Sequence, residues 1–159
     1  MAKKILIASD HAGFEMKAEV TRILEKRGFE VEDLGSTNGD SADYADYAHP
    51  LAKRISEGKA ERGVLLCGTG LGMSYVANRY PHVRAAVSWA PEVATLARQH
   101  NDANVLVLPA RMVSKEQAEQ IVDAFLDSEF EGGRHSRRVE KIERADERTG
   151  APAHHPTHK

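Results

Sequence analysis

The sequence predicts an α/β protein: a three-layer αβα sandwich around a five-stranded parallel, Rossmann-like sheet. Two observations carry that expectation. Short apolar runs rich in β-branched residues alternate with longer runs whose apolar residues recur at helical spacing. Two of the short runs, GVLLCG (63–68) and NVLVLPA (104–110), are apolar almost throughout, as strands buried on both faces must be. At 159 residues the chain is the size of one ordinary domain with a substantial core.

Taken in order, KILIAS (4–9) is the first strand, and MKAEVTRILEKRG (16–28) is a helix with a glycine stop at Gly28. FEVEDLG (29–35) alternates like a less buried strand, and YAHPLAKRISEGKA (47–60) is helical with Pro50 near its start. The third strand, GVLLCG, is followed by a helix over GMSYVANRY (72–80) and a strand over VRAAVSW (83–89). A helix opening at Pro91, PEVATLARQHN (91–101), leads into the fifth strand. SKEQAEQIVDAFLDSEF (114–130) is a helix with Ser114 as N-cap and Gln117 completing a capping box. A last helix follows the Gly132-Gly133 turn. Residues 1–144 read as one domain and 145–159 as a flexible tail, because that stretch has two prolines and no helical apolar face. Its His154, His155 and His158 have no cysteine or carboxylate at ligand spacing, so they read as a fortuitous cluster and no metal site is expected.

Composition removes several classes of function. With 22 Lys+Arg against 24 Asp+Glu the net charge is -2, which provides no global basic field for nucleic acid. No apolar run approaches the roughly 18 residues that span a bilayer, and MAKKILIASD enters a strand directly without a signal-peptide pattern. The expectation is a cytoplasmic protein with no membrane and no nucleic-acid partner. The single cysteine, Cys67, cannot form an internal disulfide.

Ligands of parallel sheets sit at the carboxyl ends of the strands. The first strand ends at Asp10 and His11, and the third ends at Cys67, followed by Gly68, Thr69, Gly70, Leu71 and Gly72. This loop is not a Walker A loop, since no Lys-Ser/Thr follows, nor the dinucleotide fingerprint, since Met73 replaces the third glycine. Three alternating glycines favour close approach of backbone N–H groups to a small anion over a mere tight turn. A thiol there, near a helix N-terminus, is expected to have its pKa lowered from about 8.5 toward neutrality, as a base requires. A buried cysteine serving only as small packing explains this segment equally well. Farther on, Arg134 and Arg138 stand four apart on one helix face, where both can grip one phosphate; the alternative is a solvated basic face. His100 and Asn101 fall where a helix turns into the fifth strand, at the opposite end of the sheet from Cys67. If His100 works with Cys67, it does so across a subunit interface.

The segments SDHAG, DYADYA, LLCGTGLGMS, RQHNDANVL and FEGGRHSRRVEKI, in this order over residues 9–142, resemble the ribose-5-phosphate isomerase B family, which also includes galactose-6-phosphate and allose-6-phosphate isomerases. The resemblance implies an aldose–ketose isomerase of sugar phosphates, without metal or nucleotide cofactor, in the pentose phosphate route or a sugar catabolic one. It implies Cys67 as the base moving a proton between C1 and C2, Thr69 handling the oxygen protons, and the Gly68, Gly70 and Gly72 loop holding the enediolate oxygen. It further implies that His100 opens the furanose ring with Asp10 or Asp43, that Tyr44 and Asn101 contact sugar hydroxyls, and that His11, Arg111, Arg134 and Arg138 bind the phosphate. A homodimer is implied, with His100, Asn101 and Arg111 supplied by the neighbouring chain; whether dimers pair into tetramers stays open. The sequence departs from the family pattern at Ala45, where proline is frequent, and at Pro109, where glycine is common. The competing class is a non-catalytic phosphate- or nucleotide-binding α/β module, which accounts for the glycine loop and the arginines but not for a thiol and a histidine placed as bases.

Overall fold

The computed structural model describes residues 3–144. The tail expected over 145–159, with its three histidines, lies outside the described residues. Five strands, β1 (Lys4–Ser9), β2 (Glu30–Asp33), β3 (Gly63–Cys67), β4 (Ala85–Val87) and β5 (Val105–Pro109), form one all-parallel sheet in the order β2-β1-β3-β5-β4. Six α-helices, α1 (Phe14–Lys26), α2 (Tyr44–Ser56), α3 (Leu71–Ala77), α4 (Pro91–Asn101), α5 (Lys115–Asp127) and α6 (Arg134–Glu143), complete the described chain, with a short 3₁₀ turn at His11–Gly13.

The two cores follow from strand alternation. Ile5 and Ile7 of β1 face one side with Val64, Leu66, Leu106 and Leu108, where they pack on Val20 and Leu24 of α1 and Ile121 and Phe125 of α5. Leu6, Ala8, Leu65 and Val107 face the other side, against Leu51 and Ile55 of α2 and Met73 and Ala77 of α3. Because successive side chains point to opposite faces, a strand buried on both must be apolar at every position, and β3 and β5 are. The expected three-layer sandwich is therefore present. Among the described residues, no helix is long and apolar enough to cross a membrane.

Two of the differences from the sequence reading have a visible cause. The strand expected over VRAAVSW is only Ala85–Val87. It is an edge strand, and the Asn78 side chain bonds both the N–H and the C=O of Ala85, at 2.8 and 3.0 Å, where a further strand would pair. Helix α2 begins at Tyr44, three residues before the expected start, so Pro50 lies in its second turn. The missing Pro50 N–H costs a backbone bond, but buried Ala48, Leu51, Ala52 and Ile55 carry the helix through it. The Ser114 capping box at α5 forms as expected, with Gln117 N–H bonded to Ser114 Oγ at 3.1 Å and Ser114 N–H to Gln117 Oε1 at 2.7 Å.

Candidate active site

The neighbouring strands β1, β3 and β5 deliver their carboxyl ends to one place. Asp10 N–H donates to Leu66 O at 3.2 Å, Ala110 N–H to Cys67 O at 2.8 Å and Arg111 N–H to Gly68 O at 3.0 Å. Asp10 is buried, and its carboxylate accepts from Gly13 N–H at 3.1 Å, which fixes the turn after β1. The Arg111 guanidinium lies along the loop, with Nη1 3.1 Å from where a β-carbon on Gly68 would stand. The Tyr44 ring rests on Gly72, 2.5 Å from the same hypothetical atom, so any side chain at 72 would evict the ring. Asp43 is the N-cap of α2, yet its carboxylate makes no capping bond. His11 Nδ1 sits 3.1 Å from Ala42 N and 3.2 Å from Ala42 O, so the same peptide segment satisfies the ring in either tautomer.

Cys67 is 4% exposed at the end of β3. Its loop reverses at Gly70, whose φ of +80° is the left-handed conformation that favours glycine. Gly70 N–H donates to Cys67 Sγ at 3.2 Å, and Leu71 N–H to Thr69 Oγ1 at 3.2 Å. One sequence expectation needs correction here. Burial pushes the Cys67 thiol above its ordinary value; the N–H groups of Met73, Gly70 and Thr69 oppose that, and the Asp10 charge adds to it. The helix N-terminus does lower the pKa, but desolvation outweighs it. The same three amides face the sulfur, so they stabilise its anion when it forms.

A consequence is testable by alkylation. The rate of Cys67 modification by iodoacetamide should rise with pH through a midpoint above the ordinary thiol value, and Asp10→Asn should move that midpoint down, since it removes a like charge that disfavours the thiolate. A midpoint near neutrality in the unsubstituted protein would contradict the dominance of desolvation.

The second group of candidates is at the other end of the sheet. Helix α4 runs back against the strands, which carries His100 and Asn101 to their amino ends, as the sequence reading placed them. The His100 ring stacks on that of His135, with centroids 4.3 Å apart and planes 13° from parallel. Arg134 opens α6 and Arg138 follows one turn later; both charges act on His135. Arg111 does not join this group. The expectation that the neighbouring chain brings it to Cys67 is corrected, because β5 pairs with β3 and sets Arg111 beside Gly68 of its own chain.

Glu131 escaped the sequence reading. Its carboxylate lies 4.0 Å from His100 Nε2 and 3.7 Å from His135 Nε2, and its N–H donates to Gln99 O at 3.0 Å. The signal available was only a Glu at i−4 from His135, which is too common to single out. One donor atom from each of the three lies within 4.8 Å of the others. The two rings are nearly parallel, however, so their in-plane lone pairs run side by side and do not converge on one ion.

The family model for ribose/galactose isomerases matches residues 5–142. The chain belongs to this family. It is 44% identical to ribose-5-phosphate isomerase B of Escherichia coli strain K12 over 146 residues, which is 92% of this chain and 98% of that protein. A probable ribose-5-phosphate isomerase B of Mycoplasma pneumoniae is 48% identical over 143 residues, 89% of this chain and 94% of the relative. The crystal structure of a ribose 5-phosphate isomerase from Thermotoga maritima superposes with a TM-score of 0.87 at 52% identity, covering 91% of this chain and 99% of the other. The Mycoplasma genitalium ribose-5-phosphate isomerase B structure, which holds ribulose-5-phosphate, superposes with a TM-score of 0.88 at 42% identity, covering 94% and 99%. The isomerase family thus has the fold described above, and the five motifs read from the sequence fall within the matched span.

Proposed function

We infer that the protein interconverts ribose 5-phosphate and ribulose 5-phosphate through an enediolate, in a site that two copies of the chain complete together. The observation that carries this reading is the division of the candidate groups between the two ends of the sheet. Asp10, His11, Tyr44, Cys67, Thr69 and Arg111 gather at the carboxyl ends, and His100, Asn101, Arg134 and Arg138 near the amino ends. A five-residue strand such as β3 is about 16 Å long, too far for these groups to meet on one sugar phosphate. Exposed apolar side chains mark both ends: Leu71, Tyr75, Trp89 and Met112 near the first, Leu96 and Ile142 on the helices of the second. A homodimer that sets one end against the other buries both sets and makes two equivalent sites.

In such a site each step has a group. His100 donates a proton to the ring oxygen while Asp10 or Asp43 accepts that of the anomeric hydroxyl, which opens the furanose. The Cys67 thiolate takes the C2 proton, the electron pair moves to the carbonyl oxygen, and the proton returns at C1. Thr69 passes the proton between the two oxygens. Backbone N–H groups that now hold the sulfur, together with the loop's remaining amides, stabilise the enediolate as the sulfur becomes neutral. His11, Arg111 and the pair Arg134 and Arg138 hold the phosphate, and Tyr44 and Asn101 meet the sugar hydroxyls. The relative that holds ribulose-5-phosphate supports the pentose reading. The reading places the enzyme in the cytoplasm and in pentose phosphate metabolism.

The test is kcat/KM for ribose, allose and galactose phosphates on one preparation in metal-free buffer. One extra carbon displaces C2 by about an ångström relative to the anchored phosphate, so ribose 5-phosphate should lead by about a hundredfold. A hexose phosphate with the higher value would overturn the substrate and leave the isomerase standing. Phosphate-ester binding without turnover of any of the three would favour the non-catalytic module.

A further inference from the structure

We propose that Arg84 is a positioning residue for the amino-end half of the site: its guanidinium clamps the turn that carries His100 and Asn101 to the helix that carries Arg134 and Arg138. The roles of those side chains rest on the function proposed above, whereas the clamp rests on direct bonds. Arg84 stands immediately before β4, at the amino end of the sheet. Its Nε donates to Asn101 O and to Asp102 O, each at 3.0 Å, and its Nη1 donates to Glu143 Oε2 at 3.1 Å. Its Nη2 lies 3.5 Å from Asp102 Oδ2. One planar group thus joins the end of α4 to the end of α6.

Each partner needs the clamp for its own reason. The last carbonyls of an α-helix have no donor within the helix, and α4 stops at Asp102, whose φ of +51° turns the chain away. Arg84 supplies a donor to the carbonyls of Asn101 and Asp102. Helix α6 has little apolar anchorage: of its 10 residues only His135 is buried, and Ile142 is 52% exposed. Its place within the chain therefore depends on polar ties at its two ends. Before its start, Glu131 N–H donates to Gln99 O at 3.0 Å. At its far end, Glu143 Oε1 accepts from His82 N–H at 2.9 Å, and Oε2 accepts from Arg84. The Arg84 and Glu143 side chains are 16% and 22% exposed, so water and salt screen this pair less than an open surface pair.

The guanidinium can be altered without releasing the strand. Arg84 N–H donates to Asn104 Oδ1 at 2.8 Å, and Arg84 O accepts from Asn104 N–H at 3.0 Å. These bonds hold the main chain whatever the side chain is.

The experiment is amide hydrogen exchange, with kcat and KM for ribose 5-phosphate, on the intact protein and on Glu143→Ala, Glu143→Gln and Arg84→Met. Glu143→Ala opens one side of the clamp, so exchange over residues 134–143 should quicken about tenfold while α1, α4 and α5 keep their rates. Arg84→Met opens both sides, and α6 and the last turn of α4 should quicken together. In Glu143→Ala the KM should rise about fivefold with kcat unchanged, because Arg134 and Arg138 grip substrate and transition state alike. In Arg84→Met the KM should rise and kcat should also fall about tenfold, because His100 is misplaced as well. Glu143→Gln keeps one acceptor oxygen and should recover part of the loss in KM. Exchange over α6 that neither Glu143→Ala nor Arg84→Met changes, or that quickens equally throughout the protein, would overturn the proposal whatever the activity. Selective quickening with KM and kcat unchanged would uphold the clamp and overturn the roles given to His100, Arg134 and Arg138.

Discussion

Cys67→Ala is expected to leave a folded protein and to lower isomerisation of ribose 5-phosphate by at least about a hundredfold, the usual scale for losing a positioned base. The two halves of that expectation rest on different features. Folding should survive because the side chain is small: removing one sulfur atom from a 4% exposed site costs about 1 kcal/mol or less, and the β3 ladder to Leu6–Ser9 and to Val105–Pro109 is made by main chain. Catalysis should not survive, because among the described residues no other thiol exists, so no group at the end of β3 replaces the one proposed to take the C2 proton. The checks are kcat/KM together with far-UV circular dichroism and the melting temperature. Near-normal turnover in a folded variant would remove Cys67 from the mechanism. Loss of activity with loss of structure would instead make the thiol a packing group, the reading that the sequence alone left level with catalysis.

What the sequence could reveal depended on how local each feature is. Helix α4 spans Pro91–Asn101 as read, because a proline at the first helical position and the run RQHN at the end are signals carried by the segment itself. Ser114 and Gln117 cap α5 for the same reason. Strands β3 and β5 announced themselves through uninterrupted apolar runs. The sheet order β2-β1-β3-β5-β4 was not legible, since nothing in β4 or β5 records that the later strand inserts beside β3. Arg111 was misassigned on that account: its chain partner at the site is fixed by the β3–β5 pairing, a contact between segments about forty residues apart. The direction of the Cys67 shift was missed because a loop sequence shows the helix N-terminus but not how completely the core around Ala8, Met73 and Val107 excludes water. His100 at the wrong end of the sheet was the most informative misfit, because it could be read as soon as the helix direction was known.

That misfit sets the largest expected gain. Cys67→Ala and His100→Asn proteins, each inactive as a homodimer, should regain activity when mixed under conditions that exchange subunits. In the heterodimer one site combines the altered Cys67 position of one chain with the altered His100 position of the other and is dead. The second combines the intact Cys67 with the intact His100. Random reassortment puts half the molecules in heterodimers with one live site each, so the mixture should approach about a quarter of the unsubstituted activity. This recovery starts from a background reduced at least about a hundredfold, so the signal is large against any contamination. The same experiment with Cys67→Ala and Arg111→Ala should show no recovery, because Arg111 lies beside Gly68 of the chain that bears Cys67. In that heterodimer each site carries one damaged group. Verified Cys67→Ala and His100→Asn heterodimers without activity would mean that the two ends of the sheet do not meet across an interface, and His100 would lose its place in the reaction. Recovery with Arg111→Ala would instead show that Arg111 reaches the neighbouring chain's site, against the placement that the β3–β5 ladder gives it.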